Sequence, residues 1–105
     1  MQPQPQPQPQ QQHTRPIRNA AVIAAAHLVA AAVERLSQRG MTVIGVEFEV
    51  PMPTIRILPD HQCNAMIRSG EAAYYGVTPD PHFGRYRLGQ FRLNGCRVAW
   101  EELDQ

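Results

Sequence analysis

The sequence predicts an α+β domain in which one long N-terminal helix packs on an antiparallel sheet of about four strands, in the order α-β-β-irregular-β-β. Three observations predict it. Apolar residues from Val22 to Leu36 recur at alternating steps of four and three, "MTVIGVEFEV" switches to an alternation of two, and Asn94-Gly95 sits between two alternating runs near the C-terminus. A single domain accounts for the 105 residues.

The chain opens on "MQPQPQPQPQQQ", in which alternating proline removes N–H donors and restricts each preceding residue. Residues 1–13 are therefore expected as an extended, disordered Gln/Pro tail, and residues 14–105 as the domain. The tail contains no basic anchor of the kind that Pro-rich ligands present to aromatic grooves.

A helix is predicted from about Thr14 to Arg39. Thr14 can cap it with Pro16 in the first turn, or Asn19 can cap a shorter version, and Gly40 supplies the residue that ends it. Val22, Ala26, Val29, Val33 and Leu36 form one stripe, widened by Ile23 and Ala30, while His27, Glu34, Arg35 and Gln38 fall largely off it. The alanines allow a close approach to a sheet or to a second copy of the helix, and core packing is the expected use.

In the first strand Ile44, Val46, Phe48 and Val50 share one face and Glu47 and Glu49 the other. After "PMPT", Ile55 and Ile57 point one way and Arg56 the other. A loop from Pro51 to Thr54 sets Val50 against Ile55, Phe48 against Ile57 and Glu49 against Arg56, the register that keeps both apolar faces together. The stretch from Pro59 to Gly84 is irregular by its Gly and Pro content. Within it, residues 64–69 fit a short helical turn, "GEAAYYG" a turn or strand, and "TPDPHFG" a loop.

The C-terminal hairpin is the clearest element. Asn-Gly fits a two-residue type I′ turn because both residues accept positive φ. That turn pairs Leu93 with Cys96, Arg92 with Arg97, Phe91 with Val98 and Gly89 with Trp100, placing the apolar residues on one face with Gly89 making room for the indole. Arg92 and Arg97 then oppose each other on the other face, where like charges are mildly destabilising. A solvated charged face, with neighbouring Glu residues offsetting the pair, is the plain reading. A binding surface is the sharper one, because Arg85, Tyr86 and Arg87 extend the basic and aromatic character along the same hairpin.

Composition narrows the classes of function. Net charge is +1, which exerts little long-range pull on nucleic acid or an anionic membrane, and all ten basic residues are arginine. Two cysteines are too few for a disulfide framework, and no signal-peptide pattern is present. The apolar run Ala20–Val33 is shorter than the roughly 18–20 residues that span a bilayer. A cytoplasmic chain with reduced thiols and no membrane partner is the expectation.

Chemistry-bearing motifs are sparse. His61, Cys63, His82 and Cys96 are residue types that zinc prefers, but their spacing is not that of paired knuckles. Cys63 near His61 or His82 lacks an oxyanion-hole pattern and an orienting acid. Phosphate-cradling glycine motifs are absent. The sequence thus predicts no enzyme, no cofactor and no metal. Arg85, Arg87, Arg92 and Arg97 with Tyr86 could line a nucleic-acid stripe, which the near-neutral charge and Glu101 and Glu102 oppose. A protein-binding surface made of Arg85, Tyr86, Arg87, Arg92 and Arg97, with Tyr74, Tyr75, His82 and Phe83 as further exposed candidates, fits better.

An Ala-rich helix ending in "ERLSQRGMTV", a Val/Ile hairpin and a closing "LNGCRVAWEE" resemble small accessory proteins of temperate phages and prophages, over residues 15–102. The resemblance implies a host-modulating role in the bacterial cytoplasm, including anti-defence activity such as inhibition of CRISPR. The functional expectation is a non-enzymatic protein that binds a host protein or complex. A small nucleic-acid-binding protein and a homodimeric structural component are the alternatives.

Overall fold

A computed structural model describes residues 10–49, 51–82 and 84–104. Its elements are α1 (Gln10–Gln38), β1 (Val43–Glu47), β2 (Thr54–Ile57), α2 (His61–Ser69), β3 (Ala73–Asp80), β4 (Gly84–Leu93) and β5 (Cys96–Leu103). The strands form one five-stranded sheet in the order β1-β2-β5-β4-β3. The predicted α+β class with a long N-terminal helix holds. The sheet gains a strand, β3, and is mixed, because β2 runs parallel to β5 while every other pair is antiparallel.

Helix α1 begins at Gln10 rather than Thr14, so Pro16 lies within the helix and not in its first turn. Glutamine is a good helix former, and Gln10 to Arg15 contain no proline. Of the expected tail, residues 10–13 are therefore helical and residues 1–9 lie outside the described residues. The helix ends as predicted at Gly40, which takes φ 77°. The Gly40 N–H donates to Ser37 O and the Met41 N–H to Leu36 O, a Schellman pattern. Buried Met41 and Leu36 belong to the same core cluster. The Gln62 side chain of α2 donates to the orphan carbonyl of Arg39 at 2.7 Å, tying the two helices together.

Only the C-terminal part of the α1 stripe is core. Val29, Ala32 and Leu36 are buried and Val33 packs beside them, whereas Val22, Ile23 and Ala26 are exposed. Val22 is 54% exposed and Val29 8%. The cause is length. At 1.5 Å per residue α1 is about 43 Å long, and it passes the tip of the β4–β5 hairpin at Leu28, whose Cδ1 would lie 3.2 Å from a Cβ on Gly95. Beyond that turn no sheet lies beneath the helix to receive Val22. The apolar stretch is also longer than Ala20–Val33: Ile17–Gln38, 22 residues whose most apolar 18-residue window has a mean hydropathy of 1.5, is long and apolar enough to cross a membrane by length and composition. Spanning with it would take Val29 and Leu36 off the sheet and expose the core residues beneath them to water, at about 1.5–3 kcal/mol for each large side chain so exposed.

The β1–β2 register differs from expectation. Val46, not Val50, opposes Ile55, and Glu47 opposes Thr54, with a bulge between Val43 and Gly45. The displacement is even, so Val46 and Ile55 still share the core face and Glu47 still shares the face of Arg56. The bulge reverses Ile44, which is exposed, and Phe48 lies beyond the strand end and is exposed too. Val50 lies outside the described residues.

The irregular region is largely regular. Asp60 caps α2, accepting from Gln62 N at 2.8 Å and Cys63 N at 3.3 Å, and Gly70 at φ 84° ends it. Cys63 and Met66 point into the core. Strand β3 pairs with β4 along its length and includes Thr78, Pro79 and Asp80, which were expected as loop. Pro79 is tolerated there because β3 is an edge strand.

The β4–β5 hairpin matches residue for residue: Leu93 with Cys96, Arg92 with Arg97, Phe91 with Val98 and Gly89 with Trp100. Asn94 at φ 56° and Gly95 at φ 79° make the turn. A Cβ on Gly89 would lie 2.2 Å from the Trp100 ring, so glycine is obligatory opposite the indole. Val29 and Leu36 from α1, Cys63 and Met66 from α2, and Ile55, Phe91, Val98 and Trp100 from the sheet form one cluster. Both helices therefore cover the same face of the sheet and leave the other bare.

Candidate functional site

The bare face is built by strand parity. Residues Tyr86, Leu88, Gln90 and Arg92 of β4, and Arg97, Ala99, Glu101 and Leu103 of β5, alternate with the core residues and face away from the helices. Thr54 and Arg56 of β2 and Glu47 of β1 complete the surface. At its centre lies an open hollow of about 210 Å³, with Ala99 and Thr54 in its floor and Arg56, Arg97, Leu88, Tyr75 and Glu101 around it. Thr54 Oγ1 donates to Glu49 Oε2 at 2.9 Å, which closes one end.

Two carboxylates of this face are already engaged by Arg56. Its guanidinium lies 2.9 Å from Glu101 Oε1 and 3.5 Å from Glu47 Oε1. Burial opposes the charge on Arg56, but the hydrogen bonds and charges of Glu101 and Glu47 outweigh it and its pKa is raised. Arg92 and Arg97 sit directly across the β4–β5 ladder, and neither side chain has a carboxylate within 4 Å among the described residues. Of the neighbouring Glu residues, Glu47 and Glu101 turn to Arg56, while Glu49, bonded to Thr54, borders the hollow with Arg97.

Arg85 and Arg87 do not join them. Their parity puts them on the helix side of the sheet, past the end of the core, so the five-residue basic stripe divides between two faces. Arg85 pairs with Asp104 at 3.1 Å. Arg87 lies 3.6 Å from Glu102 Oε2, stacks 4.5 Å above the Tyr74 ring, and turns its buried Nε to Asp104 Oδ1 at an ion-pair distance of 3.8 Å. Glu102 Oε1 also accepts from the Tyr74 hydroxyl at 2.7 Å and from Trp100 Nε1 at 3.0 Å. Burial first, and then the hydrogen bond and charge of Glu102, push the Tyr74 pKa up, with Arg87 opposing. This cluster closes the core at the Trp100 end and, among the described residues, leaves the buried Arg87 Nε without a hydrogen-bond partner.

Of the remaining candidates, Tyr86 and Tyr75 lie on the bare face, Tyr75 exposed at the β3 bulge. His82 is exposed in the β3–β4 turn, and Phe83 lies outside the described residues. Cys63 and Cys96 are buried, and burial pushes both thiols up, away from nucleophilic character. Among the described residues no three His, Cys, Asp or Glu side chains gather as a metal site.

One protein family, described as "Uncharacterised protein", matches residues 11–103. The chain belongs to this family. The match begins in the first turn of α1 and ends at the last residue of β5, so the fold above is that of the family's unit. No curated protein and no solved structure matches the chain.

The sequence put Arg56 on the face of Arg92 and Arg97, as observed, but missed Thr54 and Ala99 as members of this surface. The alternation of "TIRIL" already put Arg56 outward. What no local pattern showed is that β2 lies beside β5, since a parallel pairing between strands so distant in sequence leaves no turn signature.

Proposed function

We propose that this is a non-enzymatic binding protein that docks an acidic surface of another protein on its bare sheet face, with Arg92 and Arg97 as anchors. The observation that carries the reading is the opposed Arg92–Arg97 pair. Opposing like charges across a ladder is unfavourable, Glu47 and Glu101 are held by Arg56 and Glu49 by Thr54, and a partner's carboxylate would relieve the repulsion while making bidentate hydrogen bonds. Arg and Tyr are also the side chains that most often dominate interfaces, and Tyr75 stands exposed beside the hollow.

A protein partner is favoured over nucleic acid by the same geometry. Glu47, Glu49 and Glu101 share the surface and would repel a phosphate backbone, which binds through runs of uncompensated basic residues. The resemblance to temperate-phage accessory proteins supplies the kind of partner: a host protein or complex, including defence machinery, bound in the bacterial cytoplasm and modulated or inhibited by occupancy.

The test is capture from a lysate of cells that carry the protein, with and without nuclease. The proposal expects a stoichiometric protein partner that survives nuclease and weakens as salt screens the arginines. A partner that disappears with nuclease treatment would assign the face to nucleic acid instead.

A further inference from the structure

We infer that the part of α1 outside the core, residues 17–28, is a dimerisation arm that lies in a groove of a second copy of this chain, with the two copies related by a two-fold axis. The inference is independent of the function proposed above and concerns the helix side of the molecule, where Glu49 borders both this groove and the hollow of the bare face.

The groove lies between the arm and the β1–β2 connection. Arg18, Ala21, Val22, Ala25 and Leu28 form one wall and Phe48, Pro51 and Pro53 the other, enclosing about 540 Å³. The middle of the arm is apolar on every side, because Ala20 to Ala26 read Ala-Ala-Val-Ile-Ala-Ala-Ala over nearly two turns, between Arg18 and Asn19 at one end and His27 at the other. A helix without a polar side is stable in water only when it is covered all round, and here the sheet ends at Leu28.

Three features commit the groove to a second copy. The arm and the groove are adjacent, so an isologous contact about a two-fold axis covers both arms and both grooves with one interface. The alanines allow two arms to approach at about 8 Å, the close end of helix packing. The charged residues that line the groove are Arg18 and Glu49, one of each sign, and an antiparallel arrangement brings Arg18 of one copy toward Glu49 of the other.

The area is also of the right size. Ile17 is 68% exposed, Val22 54%, Ile23 58%, Leu28 41% and Phe48 53%. Together they present on the order of 500 Å² of apolar side chain, near the upper end of what lone soluble proteins expose. With the intervening alanines and the Pro51–Pro53 segment, each copy approaches the ~800 Å² per partner of a standard interface.

Sedimentation of the full chain across a hundredfold concentration series reads the result. The expected mass is twice the 11.8 kDa of one chain. Ala21→Glu and Val22→Glu, both at exposed positions, are expected to keep the native circular dichroism spectrum and sediment as monomers. Arg18→Glu, which sets like charges together, is expected to weaken the dimer at least tenfold. Ile44→Glu, an equally exposed apolar site on β1 outside the groove, is expected to leave the dimer intact. A wild-type chain that stays monomeric throughout, or a dimer indifferent to both Ala21→Glu and Val22→Glu, would overturn the inference. So would flotation of the wild-type chain with neutral lipid vesicles that is lost in Val22→Glu, which would assign the arm to a lipid surface.

Discussion

Glu102 gathers side chains from three strands: it accepts hydrogen bonds from Tyr74 of β3 and Trp100 of its own strand, β5, and forms an ion pair with Arg87 of β4. Trp100 fills the core against Phe91, with ring centroids 6.3 Å apart, and its indole N–H needs a partner at the edge of that core. Removing the acceptor strands two donors, so Glu102→Ala is expected to cost about 2–3 kcal/mol. Glu102→Gln keeps a carbonyl in place and is expected to cost less than half of that. Urea unfolding of the two variants measures the difference directly. Tyr74 adds a pH signature. Its pKa is raised in the fold, so the unfolded chain releases the phenol proton first as pH climbs above about 10. Stability from this group is full below that pH and declines as pH rises through the folded pKa. The buried thiols of Cys63 and Cys96, also raised, start the same decline from about pH 8.5. Melting temperatures between pH 8 and 11, on the order of that range, are expected to fall for the wild type and to fall less steeply above pH 10 for Tyr74→Phe.

At the scale of elements, α1 is one helix with two environments, and a single substitution placed in each tells them apart. Val29→Asp buries an unpaired charge beneath the sheet and is expected to cost several kcal/mol, on the order of the whole stability of such a domain. Val22→Asp sits beyond the hairpin tip and is expected to change the unfolding free energy by less than about 0.5 kcal/mol, read at protein concentrations low enough to exclude association. Equal losses at the two positions would mean that the arm is packed on its own sheet. The stripe itself was legible from Val22 to Leu36, but its spacing cannot say where the sheet stops, because that depends on a turn more than sixty residues later. The β4–β5 hairpin shows the opposite case. Asn94-Gly95 fixes the turn, the turn fixes the register, and the glycine opposite Trp100 follows, all from local chemistry. Strand β3 was hidden by Pro79 and by the bulge at Tyr75, which breaks the alternation at the point where a reader would seek it. Helix α2 was legible only as a helical turn at residues 64–69; the structure carries it back to His61, where Asp60 caps it, a signal in plain sight.

The whole molecule presents two unlike surfaces on either side of one sheet. On the helix side, an apolar arm and groove fit a second copy of the chain. On the bare side, a charged face holds one cation, Arg56, locked between two carboxylates and two others, Arg92 and Arg97, with no carboxylate within 4 Å among the described residues. The opposed arginines were legible from the turn alone. That lack of a nearby carboxylate was not, since it depends on β2 crossing to lie beside β5 and on Arg56 reaching both Glu47 and Glu101. The double variant Arg92→Gln, Arg97→Gln removes the repulsion, so its stability is expected to rise by a few tenths of a kcal/mol. Its fold is then assured when binding is measured. The decisive measurement is the affinity of this folded double variant and of the wild type for the protein captured from the lysate, side by side at one ionic strength. Loss of a few kcal/mol of binding, as for arginine anchors at other interfaces, is the predicted result; equal affinities would contradict it and exclude the bare sheet face as the binding site.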